Sequence, residues 1–281
     1  MRNLILSGGG IKGIAYIGCL KYFEENNMLH DLKVCVTCSA GCIFSLAIIL
    51  GYTSDELIEL VNKIDITALT NITSDSLFNY FKTYGLDDGK KLENFLHIII
   101  KKKLHINCRL TLADFYYITG ITFYITACCI SDRKTVFFSH KTHPDLDLIL
   151  AIRMSTSYPF YFTPVIYEGK YYIDGGVLNN FPVNIENLKN DRDTISISLL
   201  SFDGTCEIHS FERYSEQILN SLFFNIDYLN QKLHAYKHRN IIIIKSQMDV
   251  ACLEFNITNE KINKLIDHGY TTVSNYFKKQ N

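Results

Sequence analysis

The chain has 281 residues, enough to bury a sizeable core, and no Pro/Gly/Ser-rich linker divides it, so one domain is expected. Its 47% hydrophobic and 20% charged content fit an ordinary soluble globular protein. A formal net charge of -1 supplies no general attraction for nucleic acid, so none is expected as a partner and any other partner has to be argued from a site.

Nine cysteines, Cys19, Cys35, Cys38, Cys42, Cys108, Cys128, Cys129, Cys206 and Cys252, lack the even spacing of a disulfide framework. The apolar run at the N-terminus is too short for a secretory leader. Both features point to a reducing, cytoplasmic setting. Cys35 and Cys38 have no second Cys/His pair at a zinc-like spacing, so no metal is implied.

In chain order, Leu4 to Leu6 predict a strand, ended by Ser7-Gly8-Gly9-Gly10. A helical pattern follows, with Ile14, Ile17, Leu20, Tyr22 and Phe23 on one side. Lys33 to Thr37 predict a second strand, which passes through Cys38-Ser39-Ala40-Gly41 into a helix from Ile43 to Leu50 that is apolar almost all round and therefore buried. Thr53 and Glu56 form a capping-box pattern for a helix to about Ile64. Leu92, Phe95, Leu96 and Ile99 mark another helix, ending at Lys101-Lys102-Lys103, where cations suit the macrodipole.

Strands are predicted at Ile121 to Cys129, Thr135 to Phe138, Lys170 to Ile173, Thr194 to Leu199 and Ile241 to Ile244, and helices at Leu146 to Met154, Phe211 to Tyr236 and Thr258 to Phe277. The strands are continuous apolar runs that alternate with helices. That pattern predicts an α/β fold, a three-layer α/β/α sandwich with a mostly parallel central sheet.

Three short segments carry chemistry. In Gly8-Gly9-Gly10-Ile11-Lys12-Gly13, adjacent glycines between a strand and a helix permit positive φ and leave backbone N–H groups free to bind negative charge. Gly8, Gly10 and Gly13 also fit the dinucleotide fingerprint G-x-G-x-x-G, and the loop alone does not separate the two functions. The second strand does, because a dinucleotide site wants an acidic residue at its end and this one ends in Cys38-Ser39. No Gly-Lys-Ser/Thr follows at P-loop spacing either.

Thr37-Cys38-Ser39-Ala40-Gly41 has the form of a nucleophile elbow, a sharp strand-to-helix turn that exposes a serine at a helix N-terminus. Thr37 stands where that pattern has glycine. A serine there can equally be a helix N-cap. In the third segment, Asp174-Gly175-Gly176 followed by Asn179-Asn180-Phe181-Pro182, an aspartate ends a strand, where open α/β sheets gather active groups. It can equally be a turn in which the carboxylate bonds its own backbone.

The order of these segments resembles the patatin-like phospholipases, over residues 3–200. The family's G-G-G-x-K/R-G loop matches Gly8 to Gly13, its elbow Thr37 to Gly41, and its D-G-G/A motif with a following N-x-P matches Asp174 to Pro182. Its A-S-x-A-x-P-x-x-F-x-P segment is similar to Met154 to Pro164, and Thr111 to Tyr116 fits too. The resemblance implies a serine acyl hydrolase, a phospholipase A or lipid esterase, with Ser39 as nucleophile and Asp174 as base, and no cofactor. It implies an oxyanion hole at Gly8, Gly9 and Gly10, with Lys12 adding charge or supporting the loop, and motif support from Gly13, Thr37, Gly41, Gly175 and Gly176. The alternative is a silent lipid-binding or regulatory protein whose elbow Thr37 has spoiled.

The expected partner is a lipid or phospholipid, with peripheral membrane contact. Tyr158, Phe160, Tyr161 and Phe162 are candidates to line an acyl groove or touch a lipid surface, with ordinary core as the alternative. Lys101 to Lys103 are either a headgroup contact or a solvated helix end. His209, His234, His238 and His268 lie late enough for a histidine triad, but none follows a clear strand in a glycine-bounded loop. Residues 201–281 carry no motif and are expected to complete the same domain.

Overall fold

Leu4, Ile5 and Leu6 are buried on both faces of β1 (Asn3–Leu6), which is why the sequence there reads as an unbroken apolar run rather than an alternation. This computed structural model describes residues 1–185, 193–200, 207–233 and 240–279. Around β1 lie β2 (Val34–Cys38), β3 (Thr122–Cys129), β4 (Lys134–Phe138), β5 (Val165–Tyr167), β6 (Lys170–Asp174), β7 (Thr194–Leu200) and β8 (Asn240–Lys245). β3, β2, β1, β7 and β8 run parallel in that order.

The remaining strands are antiparallel, so the sheet is mixed. β4 and β6 both pair with β3, and β5 pairs with β6. β5 is absent from the sequence-level strands because three edge residues give no periodicity to read. Its hairpin with β6 turns at Glu168 and Gly169, with φ of 49° and 72°, the left-handed pair that a tight hairpin needs.

The parallel strands need crossovers, and helices supply them. The first is α1 (Ala15–Glu25). α2 (Ala40–Ile49), α3 (Ser54–Lys63), α4 (Ser74–Thr83), α5 (Lys90–Leu104) and α6 (Leu112–Thr119) lie between β2 and β3. α7 (Leu148–Ser155), α8 (Gly176–Asn179), α9 (Phe211–Leu233) and α10 (Asn259–Lys278) complete the set. The Thr53–Glu56 capping box forms as the sequence predicts. α4 has no counterpart among the predicted elements, and it buries none of its residues. The predicted extension of the long helix to Tyr236 falls outside the described residues.

The helices flank the sheet as the α/β pattern requires. On one face Leu4, Leu6, Ile125 and Ile197 join the large core under α1, α2 and α10. On the other, Ile5 and Val36 pack with Phe181 and Val183, since successive strand residues point to opposite sides. Among the described residues, no helix is long and apolar enough to cross a membrane.

Candidate active site

β2 ends where its chain turns away from β3, with Cys38 opposite Thr126. β4 lies along Ile125 to Cys129 on the flank of β3 away from β2, so β6, which pairs with Ala127 to Cys129, continues the flank that β2 leaves. Asp174 therefore faces Ala127, one position beyond the Cys38–Thr126 pair. Residues 135 positions apart meet there, and the Ser39 hydroxyl donates to Asp174 Oδ2 at 2.6 Å.

Ser39 adopts φ 51° and ψ −126°, a positive-φ conformation that costs a non-glycine residue about 1–3 kcal/mol and persists only where the surroundings enforce it. It occupies the N-cap position of α2, yet its hydroxyl makes no capping bond. Its backbone N–H donates to Ser155 Oγ at 2.9 Å, and that hydroxyl donates to the Thr126 carbonyl at 2.6 Å. Gly41 lies where a Cβ would press on the carbonyls of Leu6 and Ser7, so only glycine lets α2 start this close to β1.

Thr37 fits without a clash. Its buried hydroxyl donates to the Tyr124 carbonyl at 3.1 Å and lies 3.2 Å from Cys42 Sγ. Cys42 also lies 3.2 Å from Ser155 Oγ, and burial pushes its thiol up to about 12, which suits a packing group rather than a nucleophile.

The glycine loop runs alongside. Gly8 donates its N–H to the Asn180 carbonyl at 3.1 Å, whereas the N–H groups of Gly9 and Gly10 have no hydrogen-bond partner among the described residues. Gly10 sits at φ 57° with its Cα against the Cys252 carbonyl, which accepts from Ile11 N–H at 2.9 Å. Lys12 is buried, and its ammonium is turned to Cys252 Sγ at 3.2 Å. Gly13 abuts Phe44 and Ala40 of α2. A carboxylate of α9, that of Glu216, accepts the Cys252 N–H and supports this contact from behind.

Asp174 uses both oxygens. Oδ1 accepts the Gly176 N–H at 2.8 Å in the local turn, and Oδ2 accepts from Ser39, so the turn and the serine contact coexist. Its own N–H donates to the Ser157 carbonyl at 2.9 Å. Gly175 packs its Cα on the Thr126 carbonyl, where a side chain would not fit. Burial pushes the Asp174 carboxyl up to about 6, opposed by the hydrogen bonds from Ser39, Gly176 and Cys38.

An apolar cavity of about 180 Å³ opens beside the pair, with Ser39, Asp174 and Gly10 in its wall. Ile43 and Phe44 of α2 line it, which explains why these residues of a core-like helix are only half-buried. From the aromatic cluster, Tyr158 and Phe162 face the cavity, Tyr161 packs on Phe162 and Phe255, and Phe160 is exposed. Cys252, Leu253 and Phe255 bring the motif-free C-terminal third into the wall.

The other candidates lie away from it. His268 bonds the Lys245 carbonyl, His209 pairs with Glu207, and His234 and His238 fall outside the described residues. Lys103 pairs with Glu56 and lies over the Tyr52 ring, while Lys101 is an exposed helix-end charge. Ser155 and Ser157, whose hydroxyl and carbonyl accept the backbone N–H of Ser39 and of Asp174, were given no individual role by the sequence. Only their place in the family-like stretch Met154 to Pro164 hinted at a role.

Residues 4–186 match the family described as patatin-like phospholipase. An uncharacterised protein of Acanthamoeba polyphaga mimivirus is 30% identical over 97% of this chain and 92% of its own length. A probable lipid hydrolase of Invertebrate iridescent virus 6 is 27% identical over 76% of this chain and 75% of its own. In fold, VipD from Legionella pneumophila superposes with a TM-score of 0.65 at 16% identity, over 99% of this chain and 67% of VipD. With the match spanning all three chemical segments, from the glycine loop through the elbow to the strand-end aspartate, the chain belongs to the patatin-like phospholipase family.

Proposed function

We propose that the protein is a serine acyl hydrolase acting on lipid esters, with Ser39 as nucleophile and Asp174 as its base. The observation that carries this is the 2.6 Å hydrogen bond from Ser39 Oγ to a buried carboxylate beside an apolar cavity. A serine hydroxyl attacks only when a base within about 3 Å takes its proton as the C–O bond forms. Asp174 is already in that position, and its raised pKa makes it a stronger base than a solvated carboxylate.

In the acylation step the Ser39 oxygen bonds to the ester carbonyl carbon and its proton passes to Asp174. The carbonyl oxygen becomes an oxyanion, for which the N–H groups of Gly9 and Gly10, without a partner among the described residues, and the N-terminus of α2 are the available donors. Gly8, whose N–H is held by Asn180, supports the loop instead, and Lys12 braces it through Cys252. Collapse of the intermediate breaks the ester C–O bond, and the alcohol leaves with the proton from Asp174. Water then attacks the acyl-enzyme carbonyl carbon, giving a proton to Asp174, and as the bond from that carbon to Ser39 Oγ breaks Asp174 returns the proton to Ser39 and the fatty acid is released. The acyl chain occupies the apolar cavity throughout.

Thr37 offers no support for the silent alternative, since its side chain is accommodated by Tyr124 and Cys42 and Ser39 keeps the elbow conformation. A fluorophosphonate probe tests the proposal. Labelling of the wild-type protein and none of Ser39→Ala is expected, together with turnover of a short-chain chromogenic ester. Wild-type protein that neither labels nor turns over would overturn it.

A further inference from the structure

Residues 71–88 leave the body of the protein as an excursion whose two feet stand at the cavity. On the way out, Ile66 and Leu69 line the cavity, and Asn71 is then fastened to the carboxylates of Asp87 and Asp88. On the way back, the N–H groups of Leu86 and Asp87 donate to the Tyr161 carbonyl at 2.7 and 2.9 Å, and Thr163 N–H donates to the Asp87 carbonyl at 2.8 Å. Between these two residues Phe162 faces the cavity. The base is therefore rigid, and α4 projects from the rim.

What α4 presents is unusual for a surface helix. Leu77, Phe78, Phe81 and Tyr84 fall within one side at i, i+1, i+4 and i+7 spacing, and they are 62%, 86%, 88% and 59% exposed. The helix has a Thr73–Ser76 capping box and closes on a left-handed Tyr84, but it has no buried residue to hold it. A helix of this length is marginal in water without packing, so a surface that covers its apolar side would also stabilise it.

Resting on the hydrolase proposed above, we infer that α4 is the lipid-docking face of the protein. Leu77, Phe78, Phe81 and Tyr84 enter the boundary between headgroups and acyl chains and bring the cavity rim to the substrate layer. The occupant is a lipid surface for two reasons. The apolar face stands between Leu69, which lines the apolar cavity holding the candidate nucleophile, and Gly85, which packs on the backbone of cavity-lining Phe162. In addition, Asp75 and Lys82 cancel, so α4 offers no net charge by which an acidic or basic partner would be selected. It follows that docking is apolar and indifferent to headgroup charge.

The chain contains no tryptophan, so Phe81→Trp introduces a single reporter. In the Ser39→Ala background, its emission is expected to shift to the blue on phosphatidylcholine vesicles and to be quenched by brominated acyl chains. Adding phosphatidylglycerol or about 0.5 M salt should leave the shift unchanged. Emission that stays red on vesicles overturns the proposal, as does a shift seen only with anionic lipid and lost in salt. A blue emission without vesicles also overturns it, marking closure onto the same chain when independent of concentration and self-association when dependent on it. As a second measurement, the Phe78→Ser/Phe81→Ser variant should turn over a soluble short-chain ester normally but lose at least about tenfold on phosphatidylcholine vesicles. Equal loss on both overturns the proposal. Failure of the hydrolase proposal would appear separately, as wild-type protein inert towards the soluble ester while the tryptophan shift persists.

Discussion

Asp174 occupies the place in the ladder along β3 that Ser39 vacates when β2 turns off into α2, and this is why hydroxyl and carboxylate meet at 2.6 Å. One strand arrives from each direction on the same flank, parallel from below and antiparallel from above. Their ends abut, and the two side chains at the junction have no room for a third residue between them. In the proposed mechanism no histidine is needed, because the carboxylate reaches the serine directly.

Activity should follow the ionisation of this one carboxylate. Burial raises its pKa to about 6, and only the charged form accepts the serine proton. We expect kcat/KM for a short-chain ester to rise with pH through an apparent pKa near 6 and then level off. A profile flat from about pH 4 to 8 would count against Asp174 as the base.

Stability should move the opposite way. The folded carboxyl titrates higher than its ordinary value of 3.8, so the folded protein favours the protonated form. That contribution is complete below the unfolded value and is lost as pH rises from 3.8 through about 6. Asp174→Asn keeps the shape without the charge. We expect it to be inactive yet more stable than wild type near pH 8, by up to about 3 kcal/mol, or several degrees in Tm. The difference should vanish below about pH 4, as followed by thermal denaturation.

Ser155 should matter through geometry alone. Ser155→Ala leaves the Ser39 N–H and the Thr126 carbonyl short of a partner, a loss of about 1–3 kcal/mol. Because Ser39 is held in a conformation it does not favour, we expect kcat to fall about ten- to a hundredfold with KM little changed. A rise in KM at constant kcat would place Ser155 in substrate binding instead.

Restoring the glycine of the elbow pattern should not help. Thr37→Gly removes the bond to the Tyr124 carbonyl and adds backbone freedom in a central strand. We expect a loss of about 1–2 kcal/mol in denaturant unfolding and no gain in esterase activity. A large gain would show that Thr37 restrains the wild-type elbow.

The segments that carry the site were legible because each is a local backbone demand. Three glycines before a helix, a serine between a buried strand and a buried helix, and an aspartate followed by two glycines write their conformations into a few consecutive residues. The parallel core was legible for a similar reason: strands buried on both faces have no polar alternation. α4 escaped as a segment that buries none of its residues, and β5 because an edge strand of three residues has no period.

Other features depend on which distant segments meet. That Asn180 takes the Gly8 amide and leaves those of Gly9 and Gly10 without a partner among the described residues, that Ser155 grips the Ser39 backbone, and that Cys252 of the C-terminal third lines the cavity are contacts across 100 to 240 positions. The sequence by itself determined the residue types and the turns that present them. Only the tertiary structure decided their pairing, because the antiparallel return of β6 along β3 is a long-range choice that no local propensity encodes.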